Sequence, residues 1–136
     1  MKQLKVIGRS EIVDFPSIGL SAVRAKTDTG AFTSSIHCKS IRKIDDMQVV
    51  VVFLDEEHDA YAGKEHVFDI IDEVDVKSSN GETEKRVLIK SDISINGDTH
   101  DILLTLTDRA VMKFPVLIGR RFIRGKYLVD VRLSNK

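Results

Sequence analysis

The chain has 136 residues, with 21 basic against 21 acidic, 42% hydrophobic content, one cysteine and two prolines. That length suits a single domain over residues 1–136 with a core of its own. The balanced charge excludes the positive excess that marks proteins built to hold nucleic acid or anionic membranes. Lone Cys38 excludes an internal disulfide, the first residues lack a signal-peptide pattern, and no apolar run nears the roughly 20 residues of a membrane span, so a soluble, cytoplasmic protein is expected.

Short β-branched segments recur along the chain. The first is "KQLKVIG" at residues 2–8, followed by "LSAVRAK" at 20–26, which leads into "AKTDTGAFTSSIHC" at 25–38. "VVVVFL" at 49–54 has strand length and runs into an acidic stretch, Asp55, Glu56, Glu57 and Asp59 with His58 among them. That stretch lacks the glycine-turn spacing of a calcium loop and reads as solvated. Asn80-Gly81 and Asn96-Gly97 take positive φ cheaply and make tight hairpin turns. Around the second pair, Ile93, Ile95, Ile102, Leu104 and Leu106 keep a period of two, which places them on one sheet face. After "DILLTLT" at 101–107 come "PVLIG" at 115–119 and "YLVDVRL" at 127–133. A short helix fits only residues 108–114 or the stretch after Gly119, so the pattern describes a compact, mostly antiparallel β domain.

Asp28-Thr29-Gly30 taken alone describes a turn: Asp caps it, Gly supplies positive φ and Thr suits a strand end. Its neighbourhood points to more. A strand leads in, the small residues Ala31, Thr33, Ser34 and Ser35 follow, and "FPVLIGR" near the other end of the chain is apolar and closes on glycine. An aspartic peptidase needs such a carboxylate, held by backbone N–H groups that only glycine lets approach, and it needs two of them sharing one proton.

On "DTGA" at 28–31 and "VLIGRRFI" at 116–123 the chain resembles the retropepsin-type aspartic peptidases, in which the apolar-apolar-Gly segment packs beneath the catalytic loop. It is similar over nearly its whole length to a bacterial group labelled ATP-dependent zinc proteases (RimK-associated), found beside ATP-grasp enzymes that add glutamate to proteins. The segments that carry this likeness are "AKTDTGAFTSSIH" (25–37), "ETEKRVLI" (82–89) and residues 102–130. Thr27 stands where that group often has an aliphatic residue and Phe32 where it often has a basic one, which bears on substrate preference.

The resemblance implies a closed or partly open barrel of the acid-protease type with one short helix. It implies catalysis by Asp28 with Thr29 and Gly30, and a flap at Ser79, Asn80 and Gly81. Ala31, Thr33, His37, Arg109 and Arg120 become candidate substrate contacts. Of the basic residues Arg24, Lys26, Arg86, Arg109, Arg120 and Arg121, most read as solvated surface charge; Arg109 and Arg120 lie in segments the resemblance brings to the site, where a guanidinium can grip a carboxylate. An acidic, glutamate-rich peptide suits such a cleft.

Two aspartates are required and one Asp-Thr-Gly is present, so a two-fold homodimer with an Asp28 from each subunit is expected. No phosphate-binding Gly-rich loop and no His-Glu-x-x-His helix occurs, and His37, Cys38, His58, His66 and His100 lack paired ligand spacing. No cofactor or metal is therefore expected. His37 alone reads as a hydrogen-bonding residue. Two further readings remain open: a peptide-binding module without catalysis that partners a glutamate ligase, and a zinc-dependent hydrolase.

Overall fold

The computed structural model describes residues 3–77, 81–108 and 113–135. Strand β1 (Lys5–Phe15) is followed by a short 3-10 turn at Pro16–Ile18 and strand β2 (Leu20–Thr27). β3 (Ser34–Lys43), β4 (Gln48–Phe53), β5 (Glu65–Asp69) and β6 (Asp72–Lys77) come next. The long β7 (Thr83–Ile95) and β8 (Asp98–Thr107) precede the three-residue β9 (Val116–Ile118), a one-turn helix α1 (Arg120–Ile123) and β10 (Tyr127–Ser134).

The β7–β8 hairpin forms where the period of two places it. Asn96 and Gly97 take φ of 53° and 83°, the pair of positive angles that a two-residue turn requires, and Ile95 faces Asp98 across it. Ile93, Ile95, Ile102, Leu104 and Leu106 are all buried. Each such side chain contributes about 1.5–3 kcal/mol of burial.

The strands run in the order β10-β1-β2-β9-β3-β8-β7-β6, and β1 also touches β7 where Asp14 faces Ser94. That contact joins β1, β2, β9, β3, β8 and β7 into a ring, so the sheet curls into a partly open barrel around the apolar core. The β4–β5 ribbon extends from β3. Most pairings are antiparallel, but β1–β10, β2–β9 and β3–β8 are parallel. The single α-helix among the described residues follows Gly119, the second of the two places read as compatible with one. Strand β6 precedes the Asn80-Gly81 pair read as a turn, whereas β5 gives no clear periodic signal, since His66, Val67 and Phe68 sit together between Glu65 and Asp69. Among the described residues no helix is long and apolar enough to cross a membrane.

β9 positions everything that follows. It lies between β2 and β3, parallel to the first and antiparallel to the second, with Lys26 and Ser35 both facing Leu117. The chain therefore leaves β2 at Thr27, loops over the end of β9 and returns in β3. The connecting loop contains Asp28, Thr29 and Gly30.

Candidate active site

Asp28 follows directly on β2, and its N–H donates to the Ile118 carbonyl at 2.8 Å, which pins the loop to the end of β9. The Gly30 N–H donates to Asp28 Oδ1 at 3.1 Å, and the Ala31 N–H donates to the Asp28 carbonyl at 3.2 Å. A Cβ at residue 30 would stand 3.3 Å from the same Oδ1, so glycine lets the amide approach the carboxylate without crowding it. The carboxylate is half-buried: held on one side, open on the other.

The segment after β9 braces the loop from below. Gly119 donates to Ser34 Oγ at 2.9 Å, Arg120 N–H to the Ala31 carbonyl at 2.9 Å and Arg121 N–H to the Phe32 carbonyl at 3.0 Å. The Arg120 side chain reaches the Thr29 carbonyl at 3.2 Å. Both guanidinium groups lie over the exposed Phe32 ring, 5.5 Å and 5.8 Å from its centroid, in cation–π range. Phe32 thus does locally what a second cation could not: it holds two arginines of like charge side by side.

A cleft of about 740 Å³ opens in front of Asp28. Its floor is formed by Gly30, Ala31, Thr33, Ser35, Thr105 and Leu117; its far wall is Val74, Asp75, Val76 and Lys77 of β6, with Arg86 of β7 and Arg121 at the edges. Asp28, Gly30, Ala31 and Thr33 thus come together as cleft-lining residues, with Thr29 and Arg120 immediately behind them. Gly81 lies at the turn between β6 and β7, the hairpin whose first strand overhangs the cleft; Ser79, Asn80 and Arg109 fall outside the described residues.

His37 is placed differently. It is buried, and its Nε2 lies 2.8 Å from Asp55 Oδ2, while its Nδ1 has no partner among the described residues. It lines no part of the cleft. Asp55 is therefore no free member of a solvated run. Burial pushes its carboxyl up, but the Glu57 N–H, the His37 ring and nearby His58 outweigh that and hold it below the ordinary carboxylate range. Glu56 pairs with Lys39, whereas Glu57 and Asp59 are exposed as read. Among the described residues no cluster of three or more His, Cys, Asp or Glu is arranged to hold a metal ion.

Further residues line the cleft: Ser35, one of the small residues after Asp28; Arg86, read from the sequence as solvated charge; and Thr105, Asp75 and Lys77. Ser35 lies at the start of β3, immediately after the Asp28 loop, and Thr105 faces it across the β3–β8 pair. Asp75, Lys77 and Arg86 carry no local signal, since they reach the cleft only because the β6–β7 hairpin folds over it.

One Asp-Thr-Gly loop, clasped by an apolar-apolar-Gly strand inside a partly open β barrel, defines the retropepsin-like class of aspartic-peptidase folds. A profile of the RimB-like family, described as retropepsin-like aspartic endopeptidase RimB, matches residues 6–135, and the chain belongs to that family. It is also similar to proteins named "Probable alpha-L-glutamate ligase". The identity is 38% over 130 residues with that of Shewanella pealeana, covering 92% of this chain and 28% of the relative. It is 34% over 135 residues with that of Desulfotalea psychrophila, covering 96% and 29%. The chain thus spans less than a third of the length of these curated relatives. In fold it matches the crystal structure of Lpg0085 from Legionella pneumophila, described as a protein of unknown function (DUF785), with a TM-score of 0.76 at 20% identity over 98% of both chains.

Proposed function

We propose that the protein is an aspartic endopeptidase that works as a homodimer, with Asp28 of each subunit meeting across a two-fold axis. The observation that carries this reading is the Asp28 carboxylate itself, held by the Gly30 N–H at the floor of an open cleft. Two such carboxylates about 3 Å apart cannot both ionise, so they share one proton. The charged one takes a proton from a bound water, and the protonated one polarises the scissile carbonyl; the pair titrates in two coupled steps that belong to the dyad. A monomer on this mechanism is inactive.

The proposed substrate is an acidic, glutamate-rich peptide or tail. Lys77 on the cleft wall, Arg121 at its edge and Arg120 behind the loop favour carboxylate side chains, whereas Arg86 is already paired with Glu84. The names of the relatives favour a functional link to an enzyme that adds glutamate, and that link supports a second reading: a module that binds glutamate tails for a partner ligase without cleaving them.

One experiment separates the two. Glutamate-rich and mixed peptides are incubated with the wild-type protein and with Asp28→Asn, and the products are read by mass spectrometry. Cleavage by the wild type alone, with both proteins equally folded and dimeric, is the expected result. Equal cleavage by both removes Asp28 from the mechanism, and binding without cleavage by either leaves the module.

A further inference from the structure

We propose that Arg9, Arg24, Lys26 and Lys113 form an anion-binding subsite beside the Asp28 cleft that takes the side-chain carboxylates of an extended acidic polypeptide. It deepens the peptidase reading above and rests on it only for the path of the peptide past Asp28.

A pocket of about 350 Å³ is lined by these four cations together with Ser10, Phe114 and Ser134, and no carboxylate lines it. Several other exposed lysines have a carboxylate neighbour, Lys5 with Asp98, Lys43 with Glu73 and Lys90 with Asp101, whereas four cations converge here. Among the described residues none of the four is ion-paired. Two of them are held in place: the Arg24 guanidinium lies 5.1 Å from the Phe114 ring centroid and the Lys113 ammonium 5.9 Å. Cations fixed on an aromatic face have less freedom to lose when an anion arrives.

Sheet register makes this pocket continuous with the cleft. Ser10 faces Lys26, Lys26 faces Leu117, Leu117 faces Ser35 and Ser35 faces Thr105. Residues directly opposite one another on neighbouring strands point to the same sheet face. Leu117, Ser35 and Thr105 line the cleft, and Ser10 and Lys26 line the pocket. A polypeptide crossing in front of Asp28 and over Leu117 therefore arrives at Lys26. Arg24 and Lys26 are alternate residues of β2, roughly 7 Å apart, which is also the spacing of alternate side chains on an extended peptide. The cations are spread over β1, β2 and the 113–114 segment and do not surround one point. That arrangement suits several carboxylates along a chain better than one compact phosphate.

Binding can be measured without turnover. A fluorescent oligoglutamate peptide is titrated into the full chain carrying Asp28→Asn, and into the same protein with Arg24→Gln and Lys26→Gln added, by anisotropy at low salt. The expected result is binding weakened roughly tenfold by the added pair, the sum of two exposed charge contacts. Lys64→Gln with Lys90→Gln, an equal change of charge elsewhere, should leave binding within about twofold on the same scale. A glutamine peptide should not distinguish the variants. Unchanged oligoglutamate binding after Arg24→Gln and Lys26→Gln overturns the subsite, as does displacement of the peptide by an equal concentration of inorganic phosphate. If wild type cleaves nothing but the charge-dependent binding persists, the peptidase reading falls and the subsite stands; if cleavage occurs and binding ignores these residues, the reverse holds.

Discussion

Gly119 packs so closely on the loop that carries Asp28 that a Cβ at residue 119 would stand 2.7 Å from the Phe32 carbonyl oxygen and 2.8 Å from the carbonyl carbon of Thr33. The obstacles are backbone atoms, so no side chain can move aside. The backbone at Gly119 has φ of −84°, which any residue adopts, and the demand for glycine there is one of space alone.

Gly119→Ala accordingly forces β9 and the Asp28 loop apart. We expect a loss of about 2 kcal/mol or more of stability, in the range of overpacked interiors, read as a lower midpoint in thermal or denaturant unfolding. Peptide cleavage should fall further than stability does, because the Ile118 carbonyl that holds the Asp28 N–H moves with residue 119.

Arg120 carries a different expectation, since its side chain is exposed and reaches the Thr29 carbonyl and the Phe32 ring. Arg120→Gln should change stability by no more than about 1 kcal/mol, the worth of one hydrogen bond. Cleavage kinetics should suffer more, by roughly ten- to a hundredfold in kcat/KM, if the loop it braces positions the reacting carboxylate. Arg120→Lys should restore little, because an ammonium cannot both stack on the ring and reach the carbonyl.

The His37–Asp55 pair makes stability depend on acid. The folded carboxyl of Asp55 titrates below its unfolded range, so its charged form is favoured by folding. That contribution is complete above the unfolded pKa and drains away as pH falls through the folded one, from about pH 4 downward. In Asp55→Asn this acid-dependent part is absent. Thermal midpoints measured from pH 7 to pH 3 should therefore start lower than those of the wild type and fall less steeply, and parallel curves would remove Asp55 from the account.

Cys38 is fully buried, and burial pushes its thiol far above the range in which thiolate forms near neutral pH. A thiol reagent such as dithionitrobenzoate should leave the native protein untouched and react with one thiol per chain once guanidinium unfolds it. Reaction at the rate of a free thiol under native conditions would contradict the packing around Ile36 and Cys38.

What the amino-acid order revealed, and what it did not, follows the range of the forces involved. The Asn96-Gly97 hairpin was legible because its turn angles and its alternating aliphatics are local properties. Asp28 and Gly119 were legible only as a pair of short motifs about ninety residues apart, through resemblance. The far wall of the cleft was not, since Asp75 and Lys77 look like ordinary solvated residues of a charged strand. His37 illustrates a third situation: its partner Asp55 lies beyond a bulge in the β3–β4 pairing and next to Leu54, whose φ is 66°. No periodicity encodes such a meeting. The cation-lined pocket likewise depends on β1, β2 and the segment before β9 arriving side by side.

The parallel pairing of β1 with β10 joins the first and last strands of the chain outside the six-strand ring. Ser10 and Ser134 share a hydroxyl–hydroxyl contact at 2.9 Å although 124 positions separate them, and Gly8 admits the Leu133 carbonyl so closely that a Cβ there would lie 2.6 Å from it. Contacts of such long sequence separation form late, after the local hairpins have offset the entropy of closing so large a loop. While the polypeptide is being synthesised, one edge of β1 stays bare until residues 127–134 have left the ribosome, and for that interval the nascent chain presents an unpaired strand to its surroundings.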